Sequence, residues 1–186
     1  MVLMLSEQDV RRAIKMADSV RLIEDVLRFY ANGETTLLPR VSLTVPDSAG
    51  MFRIRAANVP AIGVFGLKTL TGYFRTPDGG YTYFAILLFN SATGALRAVM
   101  AANFLTGVRT SAASGVAAKY LSRPDAWSLG IIGAGVQAKF QVAALMALRK
   151  LPHVKIFDID PVSATAFARE VEAEFETRAI TVESVQ

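Results

Sequence analysis

The spacing of apolar and polar residues changes character three times along the chain. In "LSEQDVRRAIKMADSVRLIEDVLRFYANGE" apolar residues recur at three- and four-residue intervals, the period of an amphipathic helix. Ser6 reads as a helix cap, and Asp9 three residues on makes a variant of the capping box. A second helix is expected from Asp18, with Leu22, Ile23, Val26, Leu27 and Tyr30 on one face and Gly33 as its stop. From Leu37 to Met100 the period shortens to that of strands separated by turn chemistry. "RVSLTV" ends at Pro46, "MFRIRAANV" ends at Pro60, and "GVFGLKTLTGYF" runs into the turn "TPDGG". "YTYFAILLFN" is the most β-prone segment, and "SATG" turns it into "ALRAVM". An antiparallel meander of about five strands follows from this spacing. "NFLTGVRTSAASGVAAKYL" then returns to a helical period, with Asn103 as candidate cap and Pro124 beyond its end.

"SRPD" marks a boundary, dividing the chain into a first domain, 1–122, and a second, 123–186. The second reads strand ("AWSLGIIG"), helix, strand ("HVKIFDID"), helix, strand ("AITVESV"). This β-α-β-α-β order is the first half of a doubly wound parallel sheet. The fold class is therefore α/β, an antiparallel-sheet domain followed by an incomplete Rossmann domain.

Composition narrows the chemistry. The chain has 186 residues, 52% of them hydrophobic and 19% charged, which is globular composition. Its formal charge is +4, but the Lys and Arg residues are dispersed, so no nucleic-acid arm is expected and small anions are the better match. With no cysteine there is neither a disulfide framework nor a thiol nucleophile, which suits a reducing compartment. The single histidine, His153, is placed in a surface loop and excludes a His-based metal cluster, so no metal site is expected. No leader or membrane span is recognisable, and the protein reads as soluble and cytoplasmic.

The glycine run Gly133-Ala134-Gly135-Val136-Gln137-Ala138 directly follows a strand and opens a helix, the context that gives the dinucleotide fingerprint its meaning. Gly133 would supply the tight turn and Gly135 a close approach to pyrophosphate. Ala138 would pack helix on strand, and the helix N-terminus would face the phosphates. Asp158 ends the next strand, twenty residues after Ala138, where a carboxylate can bind both ribose hydroxyls. Ile159 follows it rather than arginine, which favours NAD over NADP. Asp160 is a rival for the ribose role.

Three cations of the first domain stand out. Lys68 lies in a largely apolar strand, Arg40 at an element end, and Arg109 within a stripe of small residues (Gly107, Ser111, Ser114, Gly115, Ala118) at helical spacing. Cations in such places need anionic partners, and a shared substrate carboxylate is a natural one. Salt bridges or snorkelling side chains are the alternative for each, and core packing alone would explain the stripe. Arg53 and Arg55 alternate with Phe52 and Ile54 and read as the solvent face of a strand. Tyr73, Tyr81 and Tyr83 read as strand packing, and Asp47 and Asp78 as turn residues.

Taken together, the "LPR" segment, "GLKTLTG", "LLFNSATGALRAVM", "NFLTGVRTSAASGVAAKYL" and "LGIIGAGVQA", in that order, resemble the ornithine cyclodeaminase/mu-crystallin family over nearly the whole chain. The resemblance implies an antiparallel substrate-binding and dimerisation domain beside a Rossmann domain, and a homodimer. It implies that Arg40, Lys68 and Arg109 hold the α-carboxylate of an amino or imino acid, with Lys68 the candidate catalytic group. Thr110 and the turn around Val136 and Gln137 would contact NAD, with Asp158 on the adenosine ribose. The implied reaction is conversion of L-ornithine to L-proline and ammonia, in which NAD takes hydride from the α-carbon, the δ-amine attacks the resulting imine, ammonia leaves and the hydride returns. Alanine dehydrogenase and cyclic imino-acid reductase are alternatives within the family, and a non-catalytic, crystallin-like dinucleotide-binding protein is one of another class.

Two departures accompany the resemblance. Arg55-Ala56 stands where many relatives have Met-Pro, an extra cation suited to a more acidic substrate or to an internal partner. The family's catalytic aspartate belongs to the second half of the Rossmann domain, beyond Gln186. The expectation is that these 186 residues are the N-terminal portion of a longer enzyme or a truncated product, binding the adenosine half of NAD weakly and catalysing nothing alone.

Overall fold

In the computed structural model, which describes residues 1–45, 50–73 and 80–185, the chain opens with a short strand, β1 (Leu3–Leu5), before helices α1 (Glu7–Ala13) and α2 (Met16–Ala31). Ser6 and Asp9 close the capping box: the Ser6 hydroxyl accepts from the Asp9 N–H at 3.2 Å, and the Asp9 carboxylate accepts from the Ser6 N–H at 2.9 Å. The Ser6 hydroxyl also donates to the Asp9 carboxylate at 2.6 Å, and this bond first, then the one from the Ser6 N–H, holds the Asp9 carboxyl below its ordinary value. Strands β2 (Thr36–Leu37), β3 (Val41–Val45), β4 (Gly50–Val59), β5 (Val64–Tyr73), β6 (Tyr81–Asn90) and β7 (Leu96–Ala101) follow, then helix α3 (Asn103–Leu121). The remainder alternates: β8 (Ser128–Ile132), α4 (Val136–Met146), β9 (His153–Phe157), α5 (Pro161–Glu174) and β10 (Arg178–Thr181).

The packing divides into two units. One comprises Met1–Ile14 with Asp25–Thr106, the other Lys15–Glu24 with Gly107–Gln186. The second unit thus takes in most of α3 and the first half of α2, ahead of the 122/123 boundary read from "SRPD".

The first unit is a mixed sheet in the order β1-β7-β6-β5-β4-β2, with β3 also pairing on β4. From β3 to β7 every pairing is antiparallel, which is the expected meander; β1 is the exception, lying parallel to β7. Cross-strand aromatic pairs fix the register. Phe65 stacks on Phe89 with centroids 4.8 Å apart, and Tyr73 lies 5.4 Å from Tyr81, which in turn lies 5.2 Å from Tyr83 on its own strand. The tyrosines are strand packing, as expected. Asp47, Asp78 and most of the "TPDGG" turn lie outside the described residues.

The second unit is a parallel sheet in the order β10-β9-β8. Its core is formed where Val154 and Ile156 of β9, both fully buried, meet Ala138 and Val142 of α4 and Phe167 and Val171 of α5. A second cluster joins Val20 of α2 to Ala112 and Val116 of α3. The small-residue stripe of α3 serves this packing. A Cβ on Gly107 would lie 2.5 Å from the Phe140 ring, and one on Gly115 would lie 3.3 Å from Val20.

Helix α2 departs from its sequence pattern. It begins at Met16 rather than Asp18, and its buried residues are Val20 and Glu24. Leu22, Leu27 and Tyr30, expected on the inner face, are exposed. The reason is ionic. Glu24, 7% exposed, accepts from Lys119 Nζ at 2.7 Å and from the Tyr120 hydroxyl, which turns the helix so that the carboxylate faces α3.

Candidate functional site

The glycine turn leaves β8 at Gly133, whose φ of +95° lies in the left-handed region that a side chain disfavours. Its N–H donates to the Phe157 carbonyl at 2.7 Å, which fastens the turn to the end of β9. The next N–H, that of Ala134, donates to Asp158 Oδ2 at 2.6 Å, and the Asp160 N–H donates to Asp158 Oδ1 at 2.8 Å. These backbone donors, Ala134 first, hold the Asp158 carboxyl below the usual carboxylate value. Gly135 is the N-cap of α4, and no side chain caps that helix. A Cβ built on Gly133 or Gly135 would meet nothing within 4 Å. Val136, 84% exposed, and Gln137 lie open above the turn, while Ala138 is buried against the sheet as the motif requires.

This arrangement fits a dinucleotide diphosphate. Uncapped N–H groups at a helix start attract anions, and the missing Cβ atoms leave room for one against the backbone. A cleft of about 460 Å³ adjoins the turn, with Ser114, Ala118, Gly133, Gly135, Gln137 and Gln141 in its wall. Beyond the N–H it gives to Asp158, Asp160 has another duty for its carboxylate. It is the N-cap of α5, accepting from the Val162 and Ser163 N–H groups at 3.1 and 3.2 Å, so the two rival carboxylates have separate structural duties. His153 is the first residue of β9 rather than a loop residue, and its ring meets the edge of Trp127 at 5.0 Å.

In the first unit, Lys68 stands in the middle of β5, directly across from Arg55 on β4 and Ile86 on β6. Its Nζ donates to Thr106 Oγ1 at 3.4 Å and lies 4.6 Å from the centre of the Phe84 ring. Arg40 immediately precedes β3, whose first residue, Val41, pairs with Ile54; Arg40 therefore lies at the level of Arg55. Arg53, expected on the solvent face, is only partly exposed, and its Nε is buried without an acceptor among the described residues. In the second unit Arg109 is exposed on α3 and Thr110 is half-buried.

The start of α3 differs from its sequence reading. Asn103 does not cap the helix but belongs to it. Its side chain instead accepts from the Phe84 N–H at 2.8 Å and donates to the Thr82 carbonyl at 3.2 Å, tying the helix to β6. The cap is Glu7, whose two carboxylate oxygens accept from the N–H groups of Asn103 (2.5 Å) and Phe104 (3.1 Å). Glu7 is 96 residues away from Asn103, so no local motif signals it. Thr106 was also missed, although it precedes Arg109 by three residues and so shares its side of the helix.

Comparison with known proteins places this geometry. The model of the ornithine cyclodeaminase/mu-crystallin family matches residues 1–186. The chain is 36% identical over 175 residues to an uncharacterised cyclodeaminase of Sinorhizobium fredii, covering 91% of this chain and 53% of the relative. It is 35% identical over 167 residues to the alanine dehydrogenase of Archaeoglobus fulgidus, covering 89% and 51%. Among solved structures, the Thermococcus litoralis Δ1-pyrroline-2-carboxylate reductase in complex with NADH and L-proline matches with a TM-score of 0.89 at 32% identity, covering 99% of this chain and 58% of that one. The chain spans about half the length of the curated relatives it matches. By sequence over its full length and by fold, the chain belongs to the ornithine cyclodeaminase/mu-crystallin family.

Proposed function

We propose that this chain carries the substrate-binding sheet and the first dinucleotide-binding half of an NAD-dependent enzyme acting at the α-carbon of an amino or imino acid. The observation that carries the reading is the glycine turn clasped by Asp158 at 2.6 Å beneath an uncapped helix start. Gly133, Gly135, Val136, Gln137 and Thr110 would hold the dinucleotide, and Asp158 would exchange part of its backbone bonding for the adenosine ribose hydroxyls. Ile159 after Asp158 leaves no arginine for a 2′-phosphate, which favours NAD. When bound, NAD supplies reversible hydride transfer at the substrate α-carbon. Arg40, Lys68 and Arg109 hold the α-carboxylate, and Lys68, steadied by Thr106 and Phe84, fixes the direction from which the α-carbon is presented.

Cyclodeamination of L-ornithine to L-proline and ammonia is the reaction the family resemblance puts first. A second reading, dehydrogenation of an amino acid or reduction of an imino acid, is favoured by Arg53 and Arg55. They stand beside Lys68, where the δ-ammonium of ornithine would meet like charge. The product balance of an enzyme in which the Rossmann domain is complete separates the two. Cyclodeamination releases ammonia with no net NADH, whereas oxidation accumulates NADH; ammonia without NADH from L-ornithine would sink the second reading. Turnover of no amino or imino acid by that complete enzyme, with NADH still bound, would leave a crystallin-like binding protein.

The active form is proposed to be a homodimer. Val41, Leu43 and Val45 project from one side of an edge strand and are 53%, 61% and 41% exposed, an apolar row suited to a second copy.

A further inference from the structure

The basic residues of the first unit form a larger group than one carboxylate requires. Residues paired across an antiparallel sheet project to the same side, and so do residues two apart on one strand. Arg55 is paired with Lys68, and Arg53 is two residues before it, so Arg53, Arg55 and Lys68 share one face. Ser42, paired with Arg53, marks the same face on β3, and Arg40 lies two residues before Ser42. Four cations therefore line one side of β3, β4 and β5. None of Arg40, Arg53 and Arg55 forms an ion pair or side-chain hydrogen bond with another described residue.

Arg53 is the most telling of them. A guanidinium N–H out of contact with water and without an acceptor is unfavourable unless an anion completes it, and its Nε is in that state among the described residues. Its neighbour Arg55 is exposed and within reach of the same space. Two guanidinium forks about 7 Å apart along a strand suit a carboxylate by paired N–H···O bonds better than any neutral or cationic group.

We infer that Arg53 and Arg55 form a subsite for a second carboxylate, so that the substrate is a small dicarboxylic 2-amino or 2-imino acid. The inference rests on the reading of this chain as an NAD-dependent amino-acid enzyme and names the substrate class of that site. Lys68 and Arg40 take the α-carboxylate, and the arginines of β4 take the carboxylate at the other end. A neutral side chain leaves the two forks unfilled. The ammonium of ornithine or lysine is repelled by them.

L-Aspartate, L-alanine and L-ornithine share one α-amino acid head and differ in side-chain charge, which makes them the test series. Each is titrated calorimetrically into the purified chain in low-salt buffer with NADH present, NADH binding being followed separately by its fluorescence. L-Aspartate is expected to bind at least about tenfold more tightly than L-alanine, with L-ornithine the weakest. Arg55→Met and Arg53→Met should each shrink the aspartate-to-alanine ratio about tenfold, and Arg55→Lys should restore part of it. L-Ornithine binding as tightly as L-aspartate, or a ratio that survives both methionine variants, overturns the inference while NADH binding keeps the proposed NAD-dependent function intact. Failure of NADH and of all three amino acids to bind overturns that proposed function and the subsite with it.

Discussion

Asp158 and Ala134 are joined by a 2.6 Å hydrogen bond from the backbone N–H of the glycine turn to the carboxylate ending β9. The bond links the two parts of the proposed dinucleotide site, which sequence separates by 24 residues. Because the backbone donors, Ala134 first, favour the ionised carboxylate, its pKa is lowered from the ordinary carboxylate value. A lowered pKa stabilises the folded state above the unfolded value and is lost as pH falls through the folded one. The turn should therefore be intact at neutral pH, and the Ala134 amide resonance should titrate with a midpoint below the ordinary carboxylate value. Asp158→Ala should abolish that titration and weaken NADH binding about tenfold. An amide midpoint at or above the ordinary value would show that the bond does not persist in solution.

Gly133 and Gly135 separate conformational from ligand effects. Gly133 has φ +95°, so Gly133→Ala should lower unfolding stability by about 1–2 kcal/mol in urea titrations. Gly135 has φ −77° with open space where a Cβ would go. Gly135→Ala should change stability by less than about 0.5 kcal/mol yet weaken NADH binding, because the new methyl occupies the approach of the diphosphate. Undiminished NADH affinity in Gly135→Ala would remove the turn from the binding site.

Lys68→Met should weaken binding of the amino or imino acid at least about tenfold, since it removes the charge held between Thr106 and Phe84. Circular dichroism would confirm the sheet, and calorimetric titration would read the loss. An unchanged affinity would move the carboxylate site away from β5.

Gly107→Ala adds a methyl 2.5 Å from the Phe140 ring. Alanine's helix propensity gains up to about 1 kcal/mol, but overpacking costs about 1–3 kcal/mol, so the variant should be less stable. Adding Phe140→Leu should recover much of the loss. A double-mutant cycle with no coupling would refute the contact.

Leu43→Lys tests the proposed dimer. Sedimentation should show the parent chain as a dimer and the variant as a monomer, because the lysine would bury a charge in the apolar row of β3. A monomeric parent would refute the proposal directly.

What sequence made legible was local. The meander came from two-residue alternation broken by Pro, Gly and Asn turns, and the β-α-β-α-β order from the change of period around "GIIGAG". Lys68 and the glycine turn stand out as candidates in the sequence because a cation in an apolar strand and glycines at a strand-to-helix junction are each odd for their surroundings. Strands β1 and β2 were not anticipated, since three and two residues carry no period and exist only through partners on β7 and β4. The rotation of α2 was hidden because its apolar count points to Leu22 and Leu27, whereas the burial of Glu24 depends on Lys119 and Tyr120, about 95 residues on. Glu7 as the cap of α3 is illegible for the same reason. A pattern reports its own element, not the element that will reach it.

The parallel strand β1 carries a consequence for synthesis. Its partners Leu3↔Ala98, Met4↔Val99 and Leu5↔Met100 are made last in the sheet, as are the Asn103 and Phe104 amides that receive Glu7. The meander can assemble hairpin by hairpin as it leaves the ribosome, since its pairings are local. Strand β1 must wait for residues translated about 95 positions later before it has anything to pair with, and closing so long a loop is slow. Strand β1 is thus the latch of this sheet, and Met4→Pro, which removes its pairing, should leave the hairpins of the meander to form first and the closing step to fail.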